Sequence, residues 1–415
     1  MKRSFVIALI VAAAAAGLLG ILQAAGLLGR IEQTVSSLTL HGRETTRIVG
    51  LVWNFMLAFV LACGIAWLTL TSRQRGRVGL LSLVLLVELF IASWVCGLYR
   101  ISFQPLPSMA ALLLAFVSAE RWIAFSKRNR SHLVKTFFGD RLSKAELRGL
   151  IEGDIPLDLQ PRTHEATVVV CDIANKYDLA DESEPAVFAE ATEKFIRRAS
   201  QLLLEAGGYI QAADGEGVVA VFGFPSAGAD HADKAVRVSL DLVDSFRKTR
   251  QENNGDFFGK CDVHLGVSSG TIIVAPLQNG DRPGLLTSGE PMELARRFCV
   301  ANRFYGSRIL IGPRTFELAS KNVVARPIDF LSGVNSQERH EIYEPLWLAA
   351  EAKPEHIARR DFFWNGVVLY REKRWAEAYT EFQKARVPDQ DDDAPLQLYL
   401  RRLETLALHL TTAPE

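Results

Sequence analysis

The chain has 415 residues, with 47 basic and 47 acidic side chains and therefore no net formal charge. This length accommodates two or three domains, and the balanced charge excludes the basic character expected of a nucleic-acid-binding protein. Hydrophobic residues form 49% of the chain and concentrate near its start. The five cysteines are scattered singly, without a CxxC pair or a Cys/His cluster. They predict reduced, buried thiols in a cytosolic compartment and argue against a zinc site or a disulfide framework.

Four apolar stretches come first, and each approaches the roughly 20 residues that a helix needs to cross a bilayer. They lie at about 5–28, 48–70, 78–99 and 103–125. Pro105 and Pro107 fall at the entrance of the fourth stretch, where proline is tolerated. Residues 1–125 are therefore predicted to form an α-helical transmembrane bundle. The first stretch is also compatible with a signal peptide, whose cleavage leaves the later topology unchanged.

The Lys and Arg residues between these stretches predict the orientation of the bundle. Nine flank one side and four flank the other. The nine are Lys2, Arg3, Arg73, Arg75, Arg77, Arg121, Lys127, Arg128 and Arg130, and the four are Arg30, Arg43, Arg47 and Arg100. Basic loops remain in the cytoplasm, so the amino terminus and everything after residue 126 are predicted to be cytoplasmic. The external loop at 29–47 is too short to fold as a sensor domain.

Residues 126–160 form a basic, helix-prone linker that ends its helical part in "LSKAELRGLIEG". Two interpretations stay open for it. It is either a transmission helix between the membrane region and the following domain, or a positively charged helix that flanks the membrane and transmits nothing.

Residues 161–346 show an α/β pattern. "ATVVVCDI" is typical of a buried strand, and "GGYIQAADGEGVVAVFGFP" predicts a β-hairpin around the acidic turn Asp214-Gly215-Glu216. "CDVHLGVSSGTIIVAPL" suggests two strands bent around Gly266 and Gly270. Amphipathic helices separate these segments, so the sequence predicts a mixed-sheet α+β sandwich. The turn carboxylates either hold a metal ion or simply solvate the turn.

The tail, residues 347–415, is predicted to be helical. "FFWNGVVLYREKRWAEAYTEFQKA" has the spacing of a single tetratricopeptide-type hairpin. One such repeat cannot bury its own apolar face, so it must pack on the preceding domain, on a second copy or on a partner.

From residue 166 to about 346, the order of these landmarks resembles the class III adenylyl/guanylyl cyclase catalytic domain of bacterial membrane cyclases. The matching segments are "VVVCDI", the hairpin at 207–225, "DHADKAVRVSLDL", "GVSSGTIIV" and "TSGEPMELARRF". The resemblance implies a ferredoxin-like α+β fold that works as a head-to-tail dimer. It further implies conversion of ATP or GTP to the cyclic monophosphate and pyrophosphate with two metal ions, Mg²⁺ or Mn²⁺, at the dimer interface. A bacterial inner (plasma) membrane location follows from the same resemblance.

By this resemblance, Asp172 falls on the first metal aspartate and Glu216 on the second. Glu216 is one methylene longer than the family residue but remains an oxygen ligand suited to Mg²⁺ or Mn²⁺. Asp214, two residues before it, is an alternative metal ligand or a solvated turn carboxylate. Arg297 matches the phosphate-binding arginine, which makes it the candidate catalytic residue, or it belongs to a solvated basic face.

The positions that would read the nucleotide base are substituted. Ala212 stands at the adenine-reading lysine position and Leu286 at that of its polar partner, so neither side chain can hydrogen-bond a purine. Glu293 replaces the ribose-orienting asparagine and places an anion near the triphosphate. The resemblance therefore implies a nearly intact metal-donating half and a degenerate base-reading half.

Besides a membrane scaffold that binds protein through its helical tail, two functions remain open from the sequence. The first is a membrane-anchored cyclase of cyclic-nucleotide signalling, weak as a homodimer or dependent on a heterodimeric partner subunit. The second is a catalytically inactive pseudo-cyclase that acts as a nucleotide sensor or as a regulatory and assembly partner. Both predict a dimer bound to the membrane, and neither involves nucleic acid.

Overall fold

The computed structural model of the protein divides the chain into two compact units, residues 1–132 and 133–415. It describes residues 2–26, 31, 47–72, 74–99, 101–158, 160–252, 260–279, 282–334, 338–387 and 393–412. Most of the predicted external loop at 29–47 lies outside the described residues. All five cysteines are described, and each is a free thiol.

Among the described residues, four helices are long and apolar enough to cross a membrane, and they lie in the first unit except for residues 133–138 of the fourth, which belong to the second unit. They are α1 (Lys2–Ala24), α2 (Leu51–Thr71), α3 (Arg75–Leu98) and α4 (Leu106–Phe138). Two short strands, β1 (Arg47–Ile48) and β2 (Ile101–Ser102), pair in parallel. Small residues on α1, α2 and α4 form the buried seam of this unit, an arrangement that lets membrane helices approach closely. The alanines of this seam are Ala8, Ala12, Ala58, Ala62, Ala66, Ala111, Ala115 and Ala119.

The fourth helix continues past its predicted end at 125 and stops at Phe138, before Gly139 with φ +48°. Residues 126–138 contain neither glycine nor proline, so nothing interrupts the helical backbone. A separate helix, α5 (Lys144–Glu152), follows. Ser143 caps it by accepting a hydrogen bond from the Glu146 backbone N–H, and Gly153 ends it with φ +94°.

The second unit is built on a mixed sheet in the order β4-β5-β3-β6-β8-β10-β9, with β7 paired to β6. The β6–β8 pair is parallel, and the other pairs are antiparallel. The strands are β3 (Arg162–Ile173), β4 (Tyr209–Asp214), β5 (Gly217–Phe222), β6 (Val263–Asn279), β7 (Arg282–Ser288), β8 (Ile309–Ile311), β9 (Val323–Ser332) and β10 (Arg339–Leu348). The helices are α6 (Lys176–Asp181), α7 (Pro185–Glu205), α8 (His231–Glu252), α9 (Glu290–Tyr305) and α10 (Pro313–Ala319). This is the predicted mixed-sheet α+β architecture.

Both faces of the sheet are covered, because alternate residues of a strand point to opposite sides. Val169, Cys171 and Ile173 of β3 belong to a core shared with α7 and α8. Val168 and Val170 belong to a second core, which α9 shares with the end of α4 and with α5. The continuous apolar run of β3 follows from this two-sided burial.

The prediction of two bent strands around Gly266 and Gly270 is wrong. Residues 263–279 form one strand, paired with β3 along twelve residues. A Cβ on Gly266 would lie 1.9 Å from the Ala295 carbonyl oxygen, and one on Gly270 would lie 3.0 Å from Pro291 Cγ. These glycines are therefore needed for the close approach of α9 to the strand rather than for a bend.

The tail forms α11 (Pro354–Arg371), α12 (Trp375–Ala385) and α13 (Ala394–Thr412). Of the three locations open from the sequence, the structure places it on the preceding domain, where Phe363 and Tyr399 share a core with Phe298 and Ile328. An ionic cluster ties the two together. Buried Arg326 of β9 lies 2.7 Å from carboxylate oxygens of both Glu344 on β10 and Asp393 before α13.

Candidate active site

The acidic hairpin lies against the end of β3. Strand β5 pairs with β3, and Val218 is opposite Cys171, so the turn at 215–216 is next to Asp172. Gly217 makes this approach possible. It has φ +104°, and a Cβ at this position would lie 2.3 Å from the Cys171 carbonyl oxygen. Backbone geometry therefore brings Asp172 and Glu216, which are 44 residues apart in sequence, to one point.

A lysine occupies that point. Lys176, the first residue of α6, places its Nζ 2.9 Å from Asp172 Oδ2 and 3.7 Å from Glu216 Oε2. Sequence reasoning missed this residue. Its only signal was the spacing of four residues from Asp172, which puts the two side chains on one face if the segment turns helically.

Burial distinguishes the three charged groups. The side chains of Asp172 and Lys176 are 24% and 14% exposed, whereas that of Glu216 is 90% exposed. Burial raises the pKa of Asp172, against the lowering effects of Lys176 and of the Ile173 N–H that donates to Oδ1. Burial alone would lower the pKa of Lys176, but its hydrogen bond to Asp172 and the charges of both carboxylates raise it overall. The ammonium form of Lys176 is therefore stabilised.

Asp214 supports the turn. Its Oδ1 accepts a hydrogen bond of 2.9 Å from the Glu216 backbone N–H, a local bond that holds acidic hairpin turns in shape. It also lines a cavity of about 10 Å³ beside Asp172 and Lys176, a volume comparable to one water molecule. This hydrogen bond within the turn is a structural reason for an aspartate at position 214. The role of Asp214 as an alternative metal ligand stays a prediction.

The residues at this point fit a divalent cation poorly. Carboxylates bind Mg²⁺ or Mn²⁺ through their negative charge, and here one ammonium faces both of them. A divalent ion and an ammonium 4 Å apart repel each other by roughly 8 kcal/mol at the effective dielectric constant of about 20 found near protein surfaces, twice the value for two unit charges. A metal ion bridging Asp172 and Glu216 would have to displace Lys176 or bear this repulsion.

The predicted base-reading positions lie on other elements. Ala212 of β4 is half-buried against the apolar core that β4 shares with α5. Leu286 of β7 is 45% exposed. Neither side chain offers a hydrogen-bonding group.

The predicted phosphate-binding arginine has partners within its own chain. Arg297 Nε lies 3.1 Å from Oε1 of Glu293, one turn earlier on α9, and its guanidinium also donates to the Gly333 carbonyl oxygen at 2.5 Å. The two side chains are 36% and 46% exposed. Glu293, predicted to stand at the asparagine position, thus pairs with the arginine that is predicted to contact phosphate.

Within the described part of the chain, one other group has metal-ligand geometry. Ligand atoms of Glu290, Glu338 and His340 lie within 4.8 Å of one another. Both carboxylates are exposed, and surface acidic groups often meet without binding an ion, so this group supports no assignment.

Residues 159–295 match the family of adenylate and guanylate cyclase catalytic domains. The chain is 24% identical over 193 residues to an uncharacterized protein of Mycobacterium tuberculosis, covering 46% of this chain and 32% of that protein. It is also 24% identical over 207 residues to the terminal-differentiation-specific adenylate cyclase of Dictyostelium discoideum, covering 48% of this chain and 9% of that protein. The chain thus spans about a third of the length of the mycobacterial relative.

Two of the solved structures that are similar to this chain are cyclases. The adenylyl cyclase CyaB of P. aeruginosa matches with a TM-score of 0.43 and 22% identity, covering 47% of this chain and 100% of that one. The guanylate cyclase domain of RhGC from Catenaria anguillulae, solved in complex with GTP, matches with a TM-score of 0.39 and 19% identity, covering 45% and 99%.

Proposed function

The chain carries a class III adenylate and guanylate cyclase catalytic domain, and from this premise we propose that it is a membrane-anchored, catalytically silent member of the cyclic-nucleotide signalling system. It acts as a regulatory or assembly partner rather than as a cyclase in its own right. One observation carries this proposal, namely that the charged groups of both half-sites are paired with opposite charges inside the chain. Lys176 faces Asp172 and Glu216, and Glu293 faces Arg297.

The charge balance opposes binding of a nucleoside triphosphate. Cyclisation, like other phosphoryl chemistry, depends on cations that hold the anionic phosphates and neutralise charge on the leaving pyrophosphate. The family meets this need with divalent metal ions. In this chain the Asp172, Lys176 and Glu216 group sums to one negative charge, and the Glu293–Arg297 pair sums to none. The site thus provides no excess of positive charge for the substrate.

The side chains at the predicted base-reading positions also cannot recognise a base through hydrogen bonds. A site that hydrogen-bonds its substrate discriminates by orders of magnitude over one that cannot, up to about 10⁵ in favourable cases. Ala212 and Leu286 provide no such bond. The choice between ATP and GTP therefore has no side-chain basis at these two positions.

The apolar amino-terminal helices support the membrane location. We place them in the plasma membrane of a bacterial cell, with the amino terminus and the cyclase domain in the cytoplasm, because the Lys and Arg residues are concentrated on that side. The domain is proposed to dimerise, as a homodimer or with another cyclase subunit, because the family builds its site between two protomers.

The test is a product assay on the full-length protein in lipid nanodiscs. The protein is incubated with ATP or GTP and with Mg²⁺ or Mn²⁺, and cyclic AMP and cyclic GMP are measured by mass spectrometry. An active class III cyclase in the same nanodiscs serves as the positive control. The proposal expects no product above that of an Asp172→Asn variant, and product that depends on Asp172 contradicts it.

A second function is favoured by the hairpin geometry. Asp172 and Glu216 still converge on a single cation position, as the metal-donating half of a heterodimer requires. In that case an added subunit with an intact base-reading half restores product formation, and Asp172→Asn abolishes it. Co-expression with candidate cyclase subunits, followed by the same assay, separates this heterodimeric enzyme from the silent partner.

A further inference from the structure

Lys176 is linked to the end of β3 by local geometry. Asp172 is the second-last residue of β3, and Lys176 begins α6 four residues later. Asn175, between them, is anchored to the distant segment before β6. It donates to the Lys260 carbonyl oxygen and accepts from the Asp262 N–H. This anchoring fixes the backbone from which the Lys176 side chain extends toward the hairpin.

The ammonium is held by carboxylates from two separate elements. Asp172 belongs to the end of β3, and Glu216 belongs to the turn between β4 and β5. Their oxygens lie 2.9 Å and 3.7 Å from Lys176 Nζ. The lysine side chain is 14% exposed, so its charge is mostly shielded from solvent and needs these partners.

An exposed lysine–aspartate pair in the same unit shows how the environment of Lys176 is unusual. Lys234 and Asp230 have the same spacing of four residues and the same N–O distance of 2.9 Å. Their side chains are 52% and 55% exposed, as expected of an ordinary surface ion pair on a helix. Lys176 differs because its side chain is only 14% exposed and because its Nζ also lies 3.7 Å from a carboxylate oxygen of Glu216, on a second element.

We propose that Lys176 is a built-in cation that takes the place of the divalent metal ion between Asp172 and Glu216. The inference deepens the proposed function and rests on its assignment of these carboxylates to the cyclase metal position. With Lys176 present, the two carboxylates are held together without Mg²⁺ or Mn²⁺. Removing the ammonium releases two carboxylates, whose oxygens are the ligands that such an ion prefers.

The experiment measures Mn²⁺ binding to the metal-free full-length protein in maltoside micelles, through loss of the free-Mn²⁺ signal in electron paramagnetic resonance. Lys176→Met is expected to bind one Mn²⁺ per chain at least tenfold more tightly than the wild type. Asp172→Asn in the Lys176→Met background is expected to remove the gained binding. Lys234→Met, which removes the matched exposed lysine, is expected to behave as the wild type.

Three results overturn the inference. They are wild-type binding as tight as that of Lys176→Met, an equal gain in Lys234→Met, and gained binding that survives Asp172→Asn. If Lys176→Met does not fold, the wild-type protein still tests the inference. Saturable Mn²⁺ binding by the wild type that Asp172→Asn abolishes would show that the lysine does not replace the ion. These outcomes are separate from the product assay. Asp172-dependent Mn²⁺ binding by the wild type without cyclic nucleotide refutes only the role of Lys176, whereas formation of cyclic nucleotide by the wild type refutes the silent function.

Discussion

Arg297 and Glu293 form an ion pair one turn apart on α9, with Arg297 Nε 3.1 Å from Glu293 Oε1. The arginine that the resemblance assigns to phosphate is thus engaged by the residue that replaces the ribose-orienting asparagine. Because both positions lie on the same helix face, one glutamate pairs with the arginine and occupies the position that the resemblance assigns to the ribose contact.

Glu293→Gln is expected to free Arg297 and to tighten binding of a fluorescent nucleoside triphosphate by roughly fivefold at low salt, which corresponds to the ~1 kcal/mol upper range of an exposed charge pair. The stability change should stay below about 0.5 kcal/mol because both side chains are partly solvated. Glu193→Gln is the matched control, since Glu193 forms an i,i+4 pair with Arg197 on α7. Equal tightening in the control, or none in Glu293→Gln, contradicts the prediction.

Asp172→Ala is expected to destabilise the protein by about 1–3 kcal/mol, because it removes a charged hydrogen bond and leaves the Lys176 ammonium partly buried. Asp230→Ala removes the exposed pair of the same spacing and distance, and its cost should be about 0.5 kcal/mol. Thermal unfolding of both variants in micelles, followed by near-ultraviolet circular dichroism, makes the comparison. Similar midpoints for the two would show that Asp172 is not structurally coupled to Lys176.

The landmarks that the sequence predicted correctly are those with a local pattern. The hairpin around Asp214 and Glu216 and the buried strand that ends near Asp172 depend on turn chemistry and apolar runs. Lys176 could not be predicted in its role, because its two partners come from strand ends 44 residues apart. The glycines of β6 were misinterpreted for a related reason, since the need for Gly266 arises from α9, which follows much later in the chain.

Acidification should destabilise the cyclase domain through His231. Burial lowers the pKa of His231, with smaller opposing effects of Glu165 and Asp230, and its Nδ1 lies 2.6 Å from Thr167 Oγ1. Because the folded-state pKa is below the unfolded value of about 6.5, the unfolded state takes up the proton first as the pH falls. Stability is therefore full above pH ~6.5 and decreases as the pH falls toward the folded-state pKa.

Thermal unfolding midpoints measured between pH 7.5 and pH 5.5 test whether stability falls with pH. His231→Gln should reduce the dependence of the midpoint on pH. His132→Gln, at an exposed histidine, serves as the control and should keep the wild-type slope. His164 and His264 have pKa values lowered by burial as well, so part of the slope should persist in His231→Gln. A slope in His231→Gln that equals the wild-type slope contradicts the assignment.

Arg326→Met should destabilise the protein by about 3–5 kcal/mol, because it leaves Glu344 and Asp393 without their buried counter-charge. Arg374 is the matched control. It also pairs with two carboxylates, those of Glu372 and Glu377, but it is 50% exposed. Arg374→Met should cost at most about 1 kcal/mol. A large effect of Arg326→Met together with a small one of Arg374→Met would establish that the tail is an integral part of the domain.

Restoring the base-reading half should not be sufficient for activity. Ala212→Lys, Leu286→Asp and Glu293→Asn together supply hydrogen-bonding groups for adenine and ribose and free Arg297, but they leave Lys176 between Asp172 and Glu216. The triple variant is expected to form no cyclic AMP with Mn²⁺ and ATP, and adding Lys176→Met is expected to give measurable product. Ala212→Lys also inserts a charge beside an apolar core, so folding of each variant must be verified by circular dichroism.

The triple and quadruple variants distinguish three possible defects. These are the ammonium of Lys176 at the metal position, the orientation of the nucleotide, and the position of the Glu216 hairpin. Activity of the folded triple variant would mean that the ammonium of Lys176 gives way to the metal ion, which contradicts the built-in cation. A silent quadruple variant that binds Mn²⁺ would place the defect in nucleotide orientation, because the metal site would then be present without turnover. A silent quadruple variant without Mn²⁺ binding would show that the Glu216 hairpin, one methylene longer than the family's aspartate, no longer positions a metal ion. The hairpin at 207–225 would then serve only to hold β4 and β5 against the end of β3.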